Sequence, residues 1–268
     1  SSWYGDSWQT GGGTTWGYWS YDEELNLFYY GTANCAPWNP DYRRDPATTP
    51  NFEQYGNKYC AGLLARDGDT GELVWAYSVT PQDQWDLDEP GQNFIIDIEL
   101  DGETRKVVTK PARNGWFYVH DAATGELLIE PWKFASTTWA HSIDIETGMP
   151  DFNEEAYVFT DIEAPICPHI SANNWFNDAY SPDTGLIYFA AENRCGTITG
   201  IRGEYSPGEN YTLVRHSAQG GPEPEGDWVG ELQAWNPATG EKVWGIQDTV
   251  NRNAMPVFTT GGNLVIRG

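Results

Sequence analysis

Positive charge is scarce in this chain: 15 Lys and Arg stand against 39 Asp and Glu, a formal net charge of −24 over 268 residues. A surface of that sign repels phosphate backbones, which argues against nucleic acid as a partner. Acidic surfaces also keep proteins soluble, a plain role that needs no acidic function. No apolar run approaches the ~20 residues of a membrane-spanning helix. No signal sequence is visible either, because Ser1 opens directly into polar and aromatic residues, as in a processed or excised chain. The cysteines at 35, 60, 167 and 195 contain no C-x-x-C pair, so neither a zinc site nor a thioredoxin-like motif is supported. Apolar stripes of helical period are absent over any useful length. The four histidines (His120, His141, His169 and His216) lack metal-ligand spacing and receive no role.

What is abundant is aromatic: 14 Trp and 15 Tyr, with 29 Gly and 17 Pro. Aromatics with frequent turn formers describe short strands joined by tight connections, an all-β architecture. An even cysteine count suits two disulfides and an oxidising compartment, hence a secreted protein. Pairing within each half, Cys35 with Cys60 and Cys167 with Cys195, is the simplest arrangement.

The chain repeats itself. Ala65-Arg66-Asp67-Gly68-Asp69-Thr70-Gly71-Glu72-Leu73-Val74-Trp75 matches Ala234-Trp235-Asn236-Pro237-Ala238-Thr239-Gly240-Glu241-Lys242-Val243-Trp244. Each reads as a strand, a turn ending in Thr-Gly, and a strand closing on Trp. Weaker copies carry Gly125 and Gly185, and Asn26 takes the glycine's place in another. Asp, Asn or Ser opens each turn by bonding its own backbone, and Gly or Asn supplies the positive φ that ends it. The turn glycines recur about every 55 residues, a period of propeller blades. Counting turns predicts a β-propeller of roughly four to five blades or part-blades, with residues 1–268 an incomplete propeller domain cut from a longer protein.

Several short stretches could carry chemistry. Gly11-Gly12-Gly13-Thr14-Thr15-Trp16 is a glycine run entering an aromatic strand, able to bring backbone and an indole face close to a planar ligand. It is not a phosphate loop, since the Gly-Lys-Ser/Thr ending is missing. Asn34 follows a strand, where Asn makes a turn or offers its amide oxygen to a hard cation. In Asp83-Gln84-Trp85-Asp86-Leu87-Asp88, three carboxylates crowd one indole. If that segment is extended, Asp86 and Asp88 share a side and suit one multivalent cation; the alternative is an acidic surface turn. Arg113 precedes an Asn-Gly hairpin turn, and Asn173-Asn174-Trp175 lies between two cysteines.

In their order these motifs resemble the pyrroloquinoline-quinone (PQQ) alcohol dehydrogenases, the quinoprotein methanol and ethanol dehydrogenases. The matching stretches are residues 11–22, 25–39, 67–88, 113–115 and 166–168, then Asn174-Trp175 and the Thr-Gly…Trp repeats, which together span nearly the whole chain. The resemblance implies an eight-bladed propeller with PQQ on its axis, of which this chain would be the middle half. It implies Trp16 as the platform under the cofactor, with Thr14 as a bonding neighbour, and Arg113, Asn174 and Trp175 as further cofactor residues. Asn34 and Asp86 would be metal ligands, Asp86 doubling as catalytic base. The implied reaction is oxidation of a primary alcohol, with electrons passing to a cytochrome c. Asp88 resembles the extra carboxylate of the lanthanide-dependent branch, so a lanthanide(III) is expected ahead of calcium. A homodimer is left open.

Position 82 departs from the family's Thr-Pro-His-Asp pattern, being Gln. The family's adjacent cysteines and metal-binding Glu have no counterpart here, so this stretch alone is expected to be inactive. Two alternatives remain: a PQQ sugar dehydrogenase of similar fold, and a non-catalytic Trp-repeat propeller serving binding or assembly. Fold alone does not separate them; the ordered set Trp16, Asn34, Asp86, Arg113 and Asn174 favours the alcohol enzymes.

Overall fold

Strands form where aromatic and β-branched residues lie between Asp, Asn and Gly turns, and the computed structural model describes residues 2–45, 56–248 and 255–268 of this pattern. Strands β1 (Thr14–Asp22), β2 (Leu27–Ala33), β3 (Gly62–Asp67) and β4 (Leu73–Ser78) pair antiparallel in chain order. The same meander is repeated by β5 (Phe94–Leu100), β6 (Glu103–Pro111), β7 (Trp116–Asp121) and β8 (Trp132–Lys133). An excursion follows: β9 (Ala140–Ile143) pairs with β10 (Pro150–Phe152), and β11 (Glu163–Ile166) continues it. Next come β12 (Ala179–Ser181) and β13 (Leu186–Glu192), then a second excursion, β14 (Gly196–Gly200) and β15 (Val214–Ser217), which pairs with β11. β16 (Gly230–Asn236) and β17 (Glu241–Asp248) complete a third four-stranded sheet in the order β12-β13-β16-β17. A last pair, β18 (Val257–Thr259) and β19 (Val265–Arg267), packs on that sheet through Val257.

The all-β propeller expected from the repeats is the observed architecture. Its described part holds three complete four-stranded blades and one further strand pair. The even spacing of the turn glycines does not count blades. Gly71, Gly125 and Gly240 follow the third strand of successive blades, whereas Asn26 and Gly185 join first strands to second. Both kinds of turn use the same chemistry. Asp67 Oδ1 accepts from the backbone N–H of Asp69 and Thr70; Asp121 does the same for Ala123 and Thr124. Asn26 at φ 54° takes the left-handed conformation that glycine takes elsewhere.

Blades are joined by an interlock of tryptophan and turn. Trp75, closing the first blade, lies under the turn of the second, where its indole N–H donates to Ala122 O at 3.0 Å. Tyr29 donates to the same carbonyl at 3.0 Å. Trp132 of the second blade meets Gly240 of the third in the same way. His120, fully buried among Trp75, Tyr77 and Tyr118, is held neutral: burial lowers its pKa to about 4. The core between the first two blades is aromatic-rich and continuous with the first excursion through Trp85 and Trp139. Both disulfides pair as expected, Cys35–Cys60 with Cα atoms 5.5 Å apart and Cys167–Cys195 with 4.4 Å.

The interlock is testable at glycine. Gly125 has φ 78°, and a Cβ on it would lie 2.6 Å from the Trp75 ring. Gly71 has φ 71° but faces open space. Gly71→Ala should therefore cost roughly 1–2 kcal/mol, the backbone penalty alone. Gly125→Ala should add about 1–3 kcal/mol of overpacking to that penalty. Urea unfolding of the two variants checks the difference.

Candidate active site

The acidic segment after β4 is not a strand. Asp86 stands at φ 65°, in the left-handed region, so the two carboxylates are not brought together by strand alternation as the extended reading supposed. The segment is shaped by its neighbours. Trp85 is fully buried, its ring centroid 5.9 Å from that of Trp139, and its indole N–H donates to Ala156 O at 2.7 Å. Gln84 Oε1 accepts the Val158 N–H at 3.0 Å. Farther along, Glu89 forms an ion pair with Lys110, both fully buried, and Lys110 also donates to Gly91 O at 2.9 Å. The first excursion and β6 thus grip the segment on either side of Asp86 and Asp88.

Arg113 is what joins the two carboxylates. The β6–β7 hairpin carries it, and Asn114 anchors that turn by donating to Val79 O, Thr80 Oγ1 and Tyr118 Oη. From there Nη2 donates to Asp86 Oδ2 at 3.0 Å and Nη1 to Asp88 Oδ2 at 3.2 Å. Nε donates to Ile170 O at 3.3 Å, which ties the site to the segment after Cys167. A guanidinium has five N–H groups, so two remain for a ligand. Asp88 Oδ1 accepts the backbone N–H of Asn34 at 2.7 Å. Asn34 in turn donates its amide N–H to Thr14 Oγ1 at 3.3 Å. The indole N–H of Trp16, which has no hydrogen-bond partner among the described residues, faces Asp88.

Thr14, Trp16, Asn34, Asp86, Asp88 and Arg113 therefore form one connected group drawn from four stretches of sequence. Asn174 lies at its edge. It lines, with His169, Ile170, Ser171, Glu192 and Arg194, a cavity of about 710 Å³ that reaches the Arg113 contact through Ile170. Trp175 stands apart: it is 47% exposed and stacks on Phe176, with ring centroids 4.2 Å apart. The glycine run has a different use from the ligand approach read in the sequence. A Cβ on Gly12 would collide with the Asn34 carbonyl, so this glycine lets two backbones cross beside the site.

Burial drives the electrostatics. The Asp86 carboxyl is pushed up by desolvation and by the charges of Asp88 and Asp83, against the pull of Arg113. Asp88 moves the same way, raised by burial against Arg113 and the Asn34 N–H. One guanidinium does not neutralise this set of carboxylates. Among the described residues no group of three or more His, Cys, Asp or Glu could hold a metal ion. The donors here are two carboxylates and one amide, a partial shell for a hard cation that takes about six to eight oxygens. All three are oxygen donors and the balance of charge is negative, so they fit such a cation. Two Arg113 N–H groups without a partner among the described residues and the half-buried Trp16 ring fit a planar, oxygen-rich partner. Asp86 Oδ1 has no hydrogen-bond partner among the described residues, which leaves it able to accept a proton.

Of two further buried groups, Asp83 was read in the sequence only as one of three crowded carboxylates, and Asp178 was not singled out. Asp83, fully buried, bonds the backbone around Asp86. Asp178 is buried, and Asn173 donates to its Oδ1 at 3.2 Å. No motif marks Asp178, and what distinguishes both groups is burial. Desolvation raises Asp178 to about 8. The folded chain thus keeps a proton that the unfolded chain releases near pH 4, and stability falls as pH rises from ~4 to ~8. Asp178→Asn should flatten that slope and melt higher than the wild type at pH 7.5, as thermal unfolding across pH would check.

Comparison with known proteins adds a lineage to this geometry. Residues 1–132 match the family model described as PQQ, glucose/ethanol/alcohol dehydrogenase, beta-propeller domain. The lanthanide-dependent methanol dehydrogenase of Methylacidiphilum fumariolicum (strain SolV) is 34% identical over 97% of this chain and 41% of its own length. A quinohemoprotein alcohol dehydrogenase of Pseudomonas putida is 33% identical over all of this chain and 38% of its own. Among solved structures, a europium-containing methanol dehydrogenase superposes with a TM-score of 0.83 at 34% identity, over 92% of this chain and 42% of that one. The chain spans about two fifths of the length of the curated relatives it matches. A sequence match over nearly the whole chain and a superposable fold agree: the chain belongs to the β-propeller family of PQQ-dependent alcohol dehydrogenases.

Proposed function

We propose that the protein oxidises primary alcohols of the methanol and ethanol type, using PQQ and a hard cation, a lanthanide(III) ahead of calcium, held at the Arg113 cluster. The observation that carries this reading is the pair of hydrogen bonds from Arg113 to Asp86 and Asp88, with the Asn34 N–H on the second carboxylate. A binding or scaffold propeller has no use for two buried carboxylates bridged in this way. When bound, PQQ supplies a two-electron acceptor whose carbonyl a Lewis-acidic cation makes more electrophilic.

The chain's residues would do the rest. Asn34, Asp86 and Asp88 hold the cation, and the second carboxylate matches a trivalent charge. Asp86 Oδ1 takes the hydroxyl proton of the alcohol as its carbon is oxidised. The two free Arg113 N–H groups bond oxygens on which negative charge develops. Trp16 offers a flat apolar surface and Asn174 a polar edge. Thr14 steadies the Asn34 amide, and Trp175 serves as an outlying cofactor residue. Electrons leave to a cytochrome c, an acceptor supported by a relative named methanol dehydrogenase [cytochrome c] subunit 1 from Methylobacterium organophilum. Two disulfides support a periplasmic setting, and no helix among the described residues is long and apolar enough to cross a membrane.

Dye-linked alcohol oxidation by the full natural chain, reconstituted with PQQ and either lanthanum or calcium, tests the proposal. Asp86→Asn should lower kcat by about 10²–10⁴-fold, the usual contribution of a general base. Asp88→Ala should move the metal preference from lanthanum toward calcium. Unchanged lanthanum-supported activity in Asp88→Ala would refute the metal assignment, and full activity without any cation would refute the mechanism.

A further inference from the structure

We infer that Arg43 and Asp83 form a buried positioning pair that sets the distance between Asn34 and the Asp86–Asp88 loop, and thereby the size of cation the site accepts. The inference rests on the metal reading above and concerns residues that reading does not use.

Arg43 is completely buried. It spends its guanidinium on uncharged acceptors drawn from three segments. Nε donates to Pro37 O at 2.6 Å, Nη1 to Asn57 Oδ1 at 2.6 Å, and Nη2 to Asp83 O. A full charge placed among carbonyls is costly and persists only where the surroundings over-determine it. Two of the three segments carry the candidate metal donors. Pro37 is three residues beyond Asn34, in the loop closed by Cys35–Cys60, and Asp83 opens the loop that holds Asp86 and Asp88. The third segment reinforces the link, since the Gln82 N–H donates to Gly56 O at 2.9 Å. The planar fork of Arg43 is therefore a spacer between the two arms of the site.

Asp83 transmits that spacing to Asp86. Its Oδ1 accepts the N–H of Trp85 and of Leu87, each at 3.0 Å, and Oδ2 also accepts from Leu87 at 3.0 Å. The peptide before Trp85 and the one after Asp86 are thereby fixed, which brackets Asp86 in its left-handed conformation. Neither residue reaches the place where a cation would sit between Asp86, Asp88 and Asn34. Their action is on the separation of the donors, and donor separation selects among hard ions by size.

The test uses the full natural chain, metal-free and without quinone. Terbium(III) is titrated in while tryptophan-sensitised luminescence is read, then displaced by lanthanum(III) or by lutetium(III). The two displacing ions carry equal charge and differ in size, so their affinity ratio reports donor spacing apart from charge. Arg43→Lys keeps the charge and loses the fork; Asp83→Asn keeps one accepting oxygen and loses the other. Each should change the ratio by about tenfold, in line with residues that orient metal ligands. A wild-type ratio in a folded variant overturns the inference, even if its melting temperature has dropped. Should Arg43→Lys fail to fold, Asp83→Asn decides alone. If the wild type binds no terbium, the metal reading falls and this inference with it.

Discussion

Trp75 and Trp132 each lie beneath a turn of the following blade, and that contact fixes how one sheet is set against the next. An indole needs a flat site without a Cβ, and the left-handed glycine of the turn supplies one. Everything at the candidate site depends on the resulting angle. Thr14, Trp16 and Asn34 belong to the first blade, Arg113 to the second, and Asn174 to the segment leading into the third. Their side chains converge only because successive blades bring the corresponding connections to the same end of the array.

A second constraint acts on the loop between the first two blades. Burying Asp83, Asp86, Asp88 and Glu89 within seven residues would be prohibitive without counter-charges and hydrogen bonds. Each is handled separately: Asp83 by backbone N–H groups, Glu89 by Lys110, and the central two by one shared guanidinium. The central pair is the least compensated, since two carboxylates compete for a single Arg113 and both are raised by burial. A buried polar network left short of positive charge at one point has the electrostatic shape of a cation site.

How much of this was legible in the sequence differs by element. The turns were, because Asp67 and Asp121 act on residues two and three positions away and Gly71 or Asn26 needs its backbone conformation whatever surrounds it. The disulfide pairing was also reachable, because each pair closes a short loop. Blade number was not, because one turn chemistry serves both the first and the last hairpin of a blade. The acidic loop was found for its composition and misjudged in its conformation. Strand alternation would place Asp86 and Asp88 on one side, whereas a left-handed Asp86 and a bridging Arg113 bring them together instead. Trp175 was grouped with Asn174 by the resemblance, and its exposure and its stacking on Phe176 are set by tertiary packing.

The sequence by itself determined the all-β class, the turns, the propeller repeat and the residue types able to hold a cation and move a proton. These rest on local backbone preferences and on side-chain chemistry, which a residue carries wherever it is placed. Tertiary structure alone decided which carboxylates share a guanidinium, that Asp83 and Arg43 stand behind them, and that Asp178 is sealed from water. Those properties come from burial and from contacts between distant segments, such as Asn34 with Asp88 and Arg113 with Ile170. Nothing in the spacing of the chain encodes them, because a hydrogen bond between blades is fixed by how the sheets pack.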